Sequence, residues 1–133
     1  MITKAALILI RKNNKQNELM FVRAKNKDFY VFPGGKQESN ESINQALKRE
    51  INEELNANIK CIKKIGEVTG QTPDGRDLKM HLFSAKLIGE PIENSEIEEI
   101  IWMNRKEIMN RLDRMTPMTM QHVLPFLEEK RIF

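Results

Sequence analysis

The chain reads as an α/β protein: an α-β-α sandwich in which helices cover both faces of a mixed parallel and antiparallel sheet. Short apolar stretches of strand length are scattered from one end to the other. They alternate irregularly with stretches of helical periodicity, and some are joined by turns tight enough for hairpins. Regular β-α alternation, the mark of a doubly wound parallel sheet, is missing. No repeat and no long linker interrupts the 133 residues, so residues 1–133 are expected to form one domain.

Residues 3–10 are rich in branched apolar side chains and predict a buried strand. Polar Asn13-Asn14-Lys15-Gln16-Asn17 then makes a turn, and residues 19–23 read as the returning strand of a hairpin. Asn26-Lys27-Asp28 forms a second loop, followed by a short strand at Tyr30-Val31-Phe32 that Pro33-Gly34-Gly35 should end. Ser42 is a strong N-cap with Gln45 in capping-box position. Ile43, Leu47, Ile51 and Leu55 recur at helical spacing until Asn56 supplies a stop. Residues 59–68 and 79–87 predict strands joined through Thr72-Pro73-Asp74-Gly75-Arg76, with His81, Phe83 and Ala85 on one face and Met80, Leu82 and Ser84 on the other. Residues 97–103 predict another strand, and residues 106–115 and 118–130 predict helices. Pro125 should kink or shorten the last.

Composition narrows the function. With 22 basic and 19 acidic residues interspersed, the net charge of +3 describes a mixed surface, and no basic stripe with interleaved aromatics favours nucleic acid as a partner. Cys61 is the single cysteine, which excludes an internal disulfide and fits a reducing cytoplasm. The run Ala5-Ala6-Leu7-Ile8-Leu9-Ile10 is too short to span a bilayer, so no membrane attachment is expected. A small polyanionic ligand suits the charge.

The chemistry concentrates on the helix after the glycine pair. With Leu47 at zero and about 100° per residue, the apolar stripe covers about −40° to +80°, while Glu54 falls at about −20°, Glu50 at about −60° and Glu53 at about −120°. Glu54 therefore points into the apolar stripe, and Glu50 and Glu53 crowd beside it. Like charges at this spacing repel, and moving them toward a core adds a desolvation cost of roughly several kcal/mol each unless something positive sits among them. Arg49, four residues before Glu53, offsets one. A hard divalent cation with oxygen ligands, Mg²⁺ or alternatively Mn²⁺, is the natural counter-charge for the others, and Mg²⁺ commonly shares its shell with substrate phosphate. The bland alternative is a solvated charged face. The position of Glu54, and the close backbone approach that Gly34 and Gly35 permit, argue against it.

The spacing is specific. Gly35, five residues, Glu41, seven residues and then Arg49-Glu50-Ile51-Asn52-Glu53-Glu54 resembles the Nudix box, G-x5-E-x7-R-E-U-x-E-E-x-G-U with U apolar. Every charged position matches. Asn56 replaces the second glycine, and as a residue tolerant of left-handed backbone it should preserve the helix stop. The likeness extends to a first hairpin, to Phe32-Pro33-Gly34-Gly35, and to a Glu-rich segment ahead of Trp102.

The resemblance implies a Nudix fold and hydrolysis of a nucleoside diphosphate linked to another group, by water attacking phosphorus. Carried over by position, Glu50 and Glu54 are the main carboxylate metal ligands, Glu53 a further ligand or water-orienting group, and the Gly34 carbonyl a main-chain ligand. Arg49 would orient the glutamates and Glu41 would tie the loop to the helix. A proton acceptor outside the box is expected among Glu96, Glu98 and Glu99, with Glu96 preferred. Arg23 resembles a phosphate-contacting position; Lys36 shares that expectation, and Gly35 would approach the phosphates through its backbone. Phe29, Tyr30 and Phe32 are aromatic candidates for the pocket, Phe32 being retained as substrate-binding. His81 and His122 read as structural.

The small size is similar to the family's housecleaning members, including those that destroy oxidised dGTP. Those carry an asparagine or aspartate near the last helix, where this chain has Thr116-Pro117-Met118-Thr119-Met120-Gln121. ADP-ribose, a nucleotide sugar or a dinucleoside polyphosphate fits the box equally well. A non-catalytic nucleotide-sensing module is the competing class, though it would be expected to have lost box carboxylates. A homodimer is compatible with the pattern.

Overall fold

A computed structural model describes residues 1–94 and 96–133. Among the described residues, seven strands form two sheets. The first has the order β4-β1-β6-β5, built from β1 (Ile2–Leu7), β4 (Gly34–Lys36), β5 (Asn58–Gln71) and β6 (Asp77–Ile88). Within it β1 runs parallel to β6 and the other pairs are antiparallel. The second, wholly antiparallel, has the order β2-β3-β7, from β2 (Ile10–Asn13), β3 (Gln16–Ala24) and β7 (Ile97–Asn104). The helices are α1 (Ile43–Leu55), α2 (Arg105–Met109) and α3 (Leu124–Glu129).

Alternation along the strands feeds two cores, one on each face. Ala5, Leu7, Met20, Val22 and Phe83 pack with Leu47, Ile51 and Leu55 of α1. Ala6, Leu19, Phe21, Leu78 and Leu82 pack with Met118, Val123 and Leu127 near the end of the chain. This is the expected layering: helix, sheets, helix.

Several local expectations are corrected. The apolar run at residues 3–10 is not one strand. β1 stops at Leu7, the Ile8 N–H donates to Phe83 O, Leu9 O accepts from Met20 N–H, and Ile10 opens β2 in the other sheet. Continuous hydrophobicity reports burial but not which sheet a residue joins. The hairpin is therefore β2-β3, closed by Asn14 and Lys15, both at positive φ (51° and 66°), as a two-residue turn matched to strand twist requires. Tyr30 and Val31 make only isolated bridges, and the strand falls on Gly34–Lys36, antiparallel to β1. A glycine pair weak as a strand former is held there by its partner strand. The segment predicted as a helix at residues 106–115 is short α2 followed by a 3₁₀ turn, Leu112–Arg114. Before Pro125, Thr119–Val123 winds as a π-helical turn that runs directly into α3; widening the turn accommodates a residue with no N–H to donate.

α1 is as the sequence predicts. The Ser42 side chain accepts from Gln45 N–H, the Gln45 side chain accepts from Ser42 N–H, and Asn56 closes the helix in left-handed conformation at φ 51°, ψ 38°. On the opposite face of the first sheet, two β5 glycines seat the end of the chain. A Cβ on Gly66 would lie 2.2 Å from the Phe126 ring, and one on Gly70 would lie 2.7 Å from His122 and 2.8 Å from Met118 Sδ.

Candidate active site

The glycine strand and the acidic helix are built against each other. Gly34, at φ +139°, places its N–H 2.8 Å from Glu54 Oε1, and a Cβ there would lie 2.0 Å from Ala5 O. Gly35 leaves room for a carboxylate: an added Cβ would lie 2.4 Å from Glu50 Cδ. Gly34 is thus required by its close approach to β1, while Gly35 leaves the space that the Glu50 carboxylate fills.

Arg49 organises the rest. Its guanidinium grips Glu41 through two bonds, Nε to Oε2 at 3.1 Å and Nη2 to Oε1 at 2.8 Å. Nη2 also donates to Lys36 O at 3.0 Å, and Nη1 donates to Glu50 Oε1 at 2.9 Å and to Glu53 at 3.3 Å. Glu41 in turn accepts from Glu38 N–H at 2.8 Å. One planar cation therefore ties loop, strand and helix together, a geometry that suits arginine and not lysine. The sequence expectation that Arg49 offsets Glu53 is met only weakly, because its shorter bonds go to Glu41 and Glu50.

The carboxylates differ in environment. Glu53 is the most exposed, at 57%, against 18% for Glu50. Burial pushes the Glu54 carboxyl up to about 8; the Gly34 N–H opposes that shift, and the nearby Glu50 and Glu53 reinforce it. Burial also raises Glu50, opposed by Arg49, whereas Arg49 and the Glu38 N–H hold Glu41 below the usual carboxylate range. Arg49 thus satisfies Glu41 and Glu50, while Glu54 has a main-chain donor and no hydrogen-bonded cation.

Beside the glycine strand, on the face away from α1, lies a cavity of about 100 Å³. Phe32, Met80, Met118, Thr116, Thr119 and Lys4 are among the residues around it, together with Gly34 and Gly35. Phe32 is buried and packs on Phe21 at 4.7 Å between ring centres.

A family model for the NUDIX domain matches residues 1–125. The chain belongs to the Nudix family. A Bacillus subtilis protein bearing the provisional name 8-oxo-dGTP diphosphatase is 32% identical over 89 residues, which are 67% of this chain and 56% of that protein. The chain spans about half the length of the curated relatives it matches. Among solved structures, a NUDIX hydrolase from Nitrosomonas europaea superposes with a TM-score of 0.77 at 20% identity, covering 97% of this chain and 90% of that one. A bifunctional NMN adenylyltransferase/ADP ribose pyrophosphatase from Francisella tularensis, in complex with AMP and a Mn ion, superposes with a TM-score of 0.70 at 25% identity. That match covers 96% of this chain and 41% of the other.

The Nudix-box residues Gly35, Glu41, Arg49, Glu50, Glu53 and Glu54 come together in one network, with Gly34 in contact with Glu54. Among the described residues, the side chains of Arg23, Glu96 and Glu99 make no hydrogen bond with the box glutamates. Arg23 bonds Glu99 Oε1 at 3.3 Å and Lys27 O at 3.2 Å, and the Tyr30 hydroxyl donates to the same Glu99 oxygen at 3.0 Å. Glu99 is thereby engaged, whereas the Glu96 side chain is exposed and its carbonyl accepts from Lys25 N–H. The preceding loop is held against the end of α1, the Ile92 and Asn94 N–H groups donating to Leu55 O and Glu54 O. Lys36 is exposed and contributes its carbonyl to Arg49. His81 lies 3.3 Å from Glu67 with its buried Nδ1 making no hydrogen bond, and burial lowers its pKa; His122 packs on Gly70. Sequence reasoning missed Lys4, which reads as a strand flank until pairing places it beside the cavity. Among the described residues no helix is long and apolar enough to cross a membrane.

Proposed function

We propose that the chain is a Nudix hydrolase that cleaves the pyrophosphate bond of a nucleoside diphosphate linked to another group, with Mg²⁺ or Mn²⁺ as cofactor. The reading is carried by Glu54, a carboxylate buried beside a glycine strand with its pKa pushed up to about 8 and with Glu50 next to it. Isolated buried acids cost stability; one kept beside two further glutamates fits a centre that receives a cation.

The donor set fits a hard ion, since Glu50, Glu54, Glu53 and the Gly34 carbonyl offer oxygen alone. Among the described residues no three acidic, histidine or cysteine side chains already stand close enough together to hold an ion. When bound, the ion supplies neutralisation of phosphoryl charge and acidification of water. The protein's own groups do the rest. Gly34 and Gly35 bring main chain without side-chain bulk to the phosphates. Arg49 fixes Glu50 and Glu41, and exposed Glu53 is the proposed group to orient the attacking water. Its oxygen bonds to phosphorus as the bridging P–O bond breaks. Glu96 is the proposed acceptor of the water proton, and Arg23, Lys36 and Phe32 the proposed substrate contacts.

The nucleoside end suits the cavity lined by Phe32, Met80 and Met118. The names of the curated relatives put oxidised dGTP first in a substrate panel. ADP-ribose, nucleotide sugars, dinucleoside polyphosphates and unmodified triphosphates complete it. Release of mononucleotide and phosphate products with Mg²⁺ or Mn²⁺ is the expected result. A complete absence of hydrolysis across the panel would favour a sensing module instead.

A further inference from the structure

We propose that Lys4 is a substrate-binding residue, forming with Lys36 a two-lysine seat for the phosphate nearest the nucleoside. The assignment of Lys4 rests on the nucleotide reading above and extends it to a residue outside the Nudix box. β1 and β4 pair so that Lys4 lies directly opposite Lys36, Ala5 opposite Gly35 and Ala6 opposite Gly34. Side chains alternate along both strands, so the two lysines share the face on which Ala6 lies, the face of the cavity. Like charges directly across an antiparallel pair repel. Among the described residues neither lysine side chain makes an ion pair or hydrogen bond, and the acid that acts on Lys4, Glu54, does so only through space.

Lys4 is half-buried and lines the cavity together with Gly34 and Gly35. Its charge reaches Glu54 through space, but the hydrogen bond at Glu54 Oε1 comes from the Gly34 N–H. Partial burial of the Lys4 side chain and its repulsion by Lys36 directly across the ladder both cost stability in the free protein, offset only by the through-space attraction of Glu54. An anion lodged between the two removes both penalties. The glycine strand runs beneath them, so that anion sits between the cavity and the acidic helix, where a phosphate attached to a nucleoside in the cavity must pass.

The test uses Lys4→Met, which keeps the apolar stem, with Lys4→Arg and Lys36→Met beside it. Binding of AMP, GMP and the matching nucleosides is measured by calorimetry in EDTA, so that added metal does not contribute. Lys4→Met should weaken mononucleotide binding about tenfold, in line with loss of a charged hydrogen bond. Nucleoside binding should stay within about twofold, Lys4→Arg should restore the mononucleotide, and Lys36→Met should act in the same direction as Lys4→Met. Its melting temperature should not fall, because a repulsion is removed. Unchanged mononucleotide affinity in Lys4→Met overturns the proposal. An equal loss for nucleoside overturns it too, by moving Lys4 to the base, and so does a wild-type protein that binds no mononucleotide. Hydrolysis by wild type, read separately, decides the catalytic reading.

Discussion

The Gly34 N–H donates to Glu54 Oε1 across 2.8 Å, so a main-chain group of β4 holds the buried acid of α1. Burial still wins over that bond and pushes the Glu54 carboxyl up to about 8. The folded pKa lies above the ordinary value of 4.5, so the contribution of Glu54 to stability is fully present below about 4.5 and is lost as pH rises through about 8. Metal-free protein should lose roughly 2–4 kcal/mol through this group between pH 5 and pH 8.5. Glu54→Gln should flatten that slope in thermal melts and abolish turnover, and Mg²⁺ should raise the melting temperature of wild type more at pH 8.5 than at pH 6. An unchanged slope in Glu54→Gln would contradict the assignment.

The two glycines should fail differently. Gly34→Ala forces a side chain into a left-handed position and against Ala5 O, and should cost roughly 3 kcal/mol or more in denaturant melts. Gly35→Ala meets only the end of the Glu50 side chain, which can swing aside. It should therefore keep its melting temperature within a few degrees and lose at least about tenfold in kcat, as small displacements of catalytic groups do.

Arg49→Lys tests the fork. A lysine cannot bond Glu41 through two nitrogens while reaching Glu50 and Lys36 O, so residues 36–41 should exchange amide hydrogens faster and kcat/KM should fall by about tenfold or more. Equal exchange protection in wild type and variant would remove Arg49 from its organising role.

Asn56→Gly restores the residue the box pattern prefers at a left-handed helix stop. It should stabilise the protein by about 0.5–1 kcal/mol in thermal or denaturant melts while leaving kcat unchanged.

Features set by neighbours in sequence were legible, and those set by partners across the fold were not. α1 was readable to the residue because its cap, periodicity and stop are all local: Ser42 with Gln45, the Leu47 stripe, Asn56. Spacing on one helix likewise fixed which side Glu50 and Glu54 occupy, whereas the bonds from Arg49 to Glu41 and from Gly34 to Glu54 join separate elements and were not set by that spacing. The break at Ile8 and Leu9 was hidden because both sheets demand apolar residues. The strand at Gly34–Lys36 was hidden because its partner, β1, lies some thirty residues away in sequence and the local signal argues for a breaker. Lys4 was hidden likewise: nothing near it in sequence announces Lys36 across the ladder. The meeting of Arg23 with Glu99 was hidden too, because it depends on the tertiary pairing of β3 with β7.

The notch at Gly70 reaches further than its distance from the acidic helix suggests. Met118 rests on that notch and also walls the cavity, so its position is set from the outer strand. A methyl group at position 70 would push the thioether and the His122 ring away from β5. A change on this outer strand would then reshape the cavity wall without touching the network that Arg49 holds.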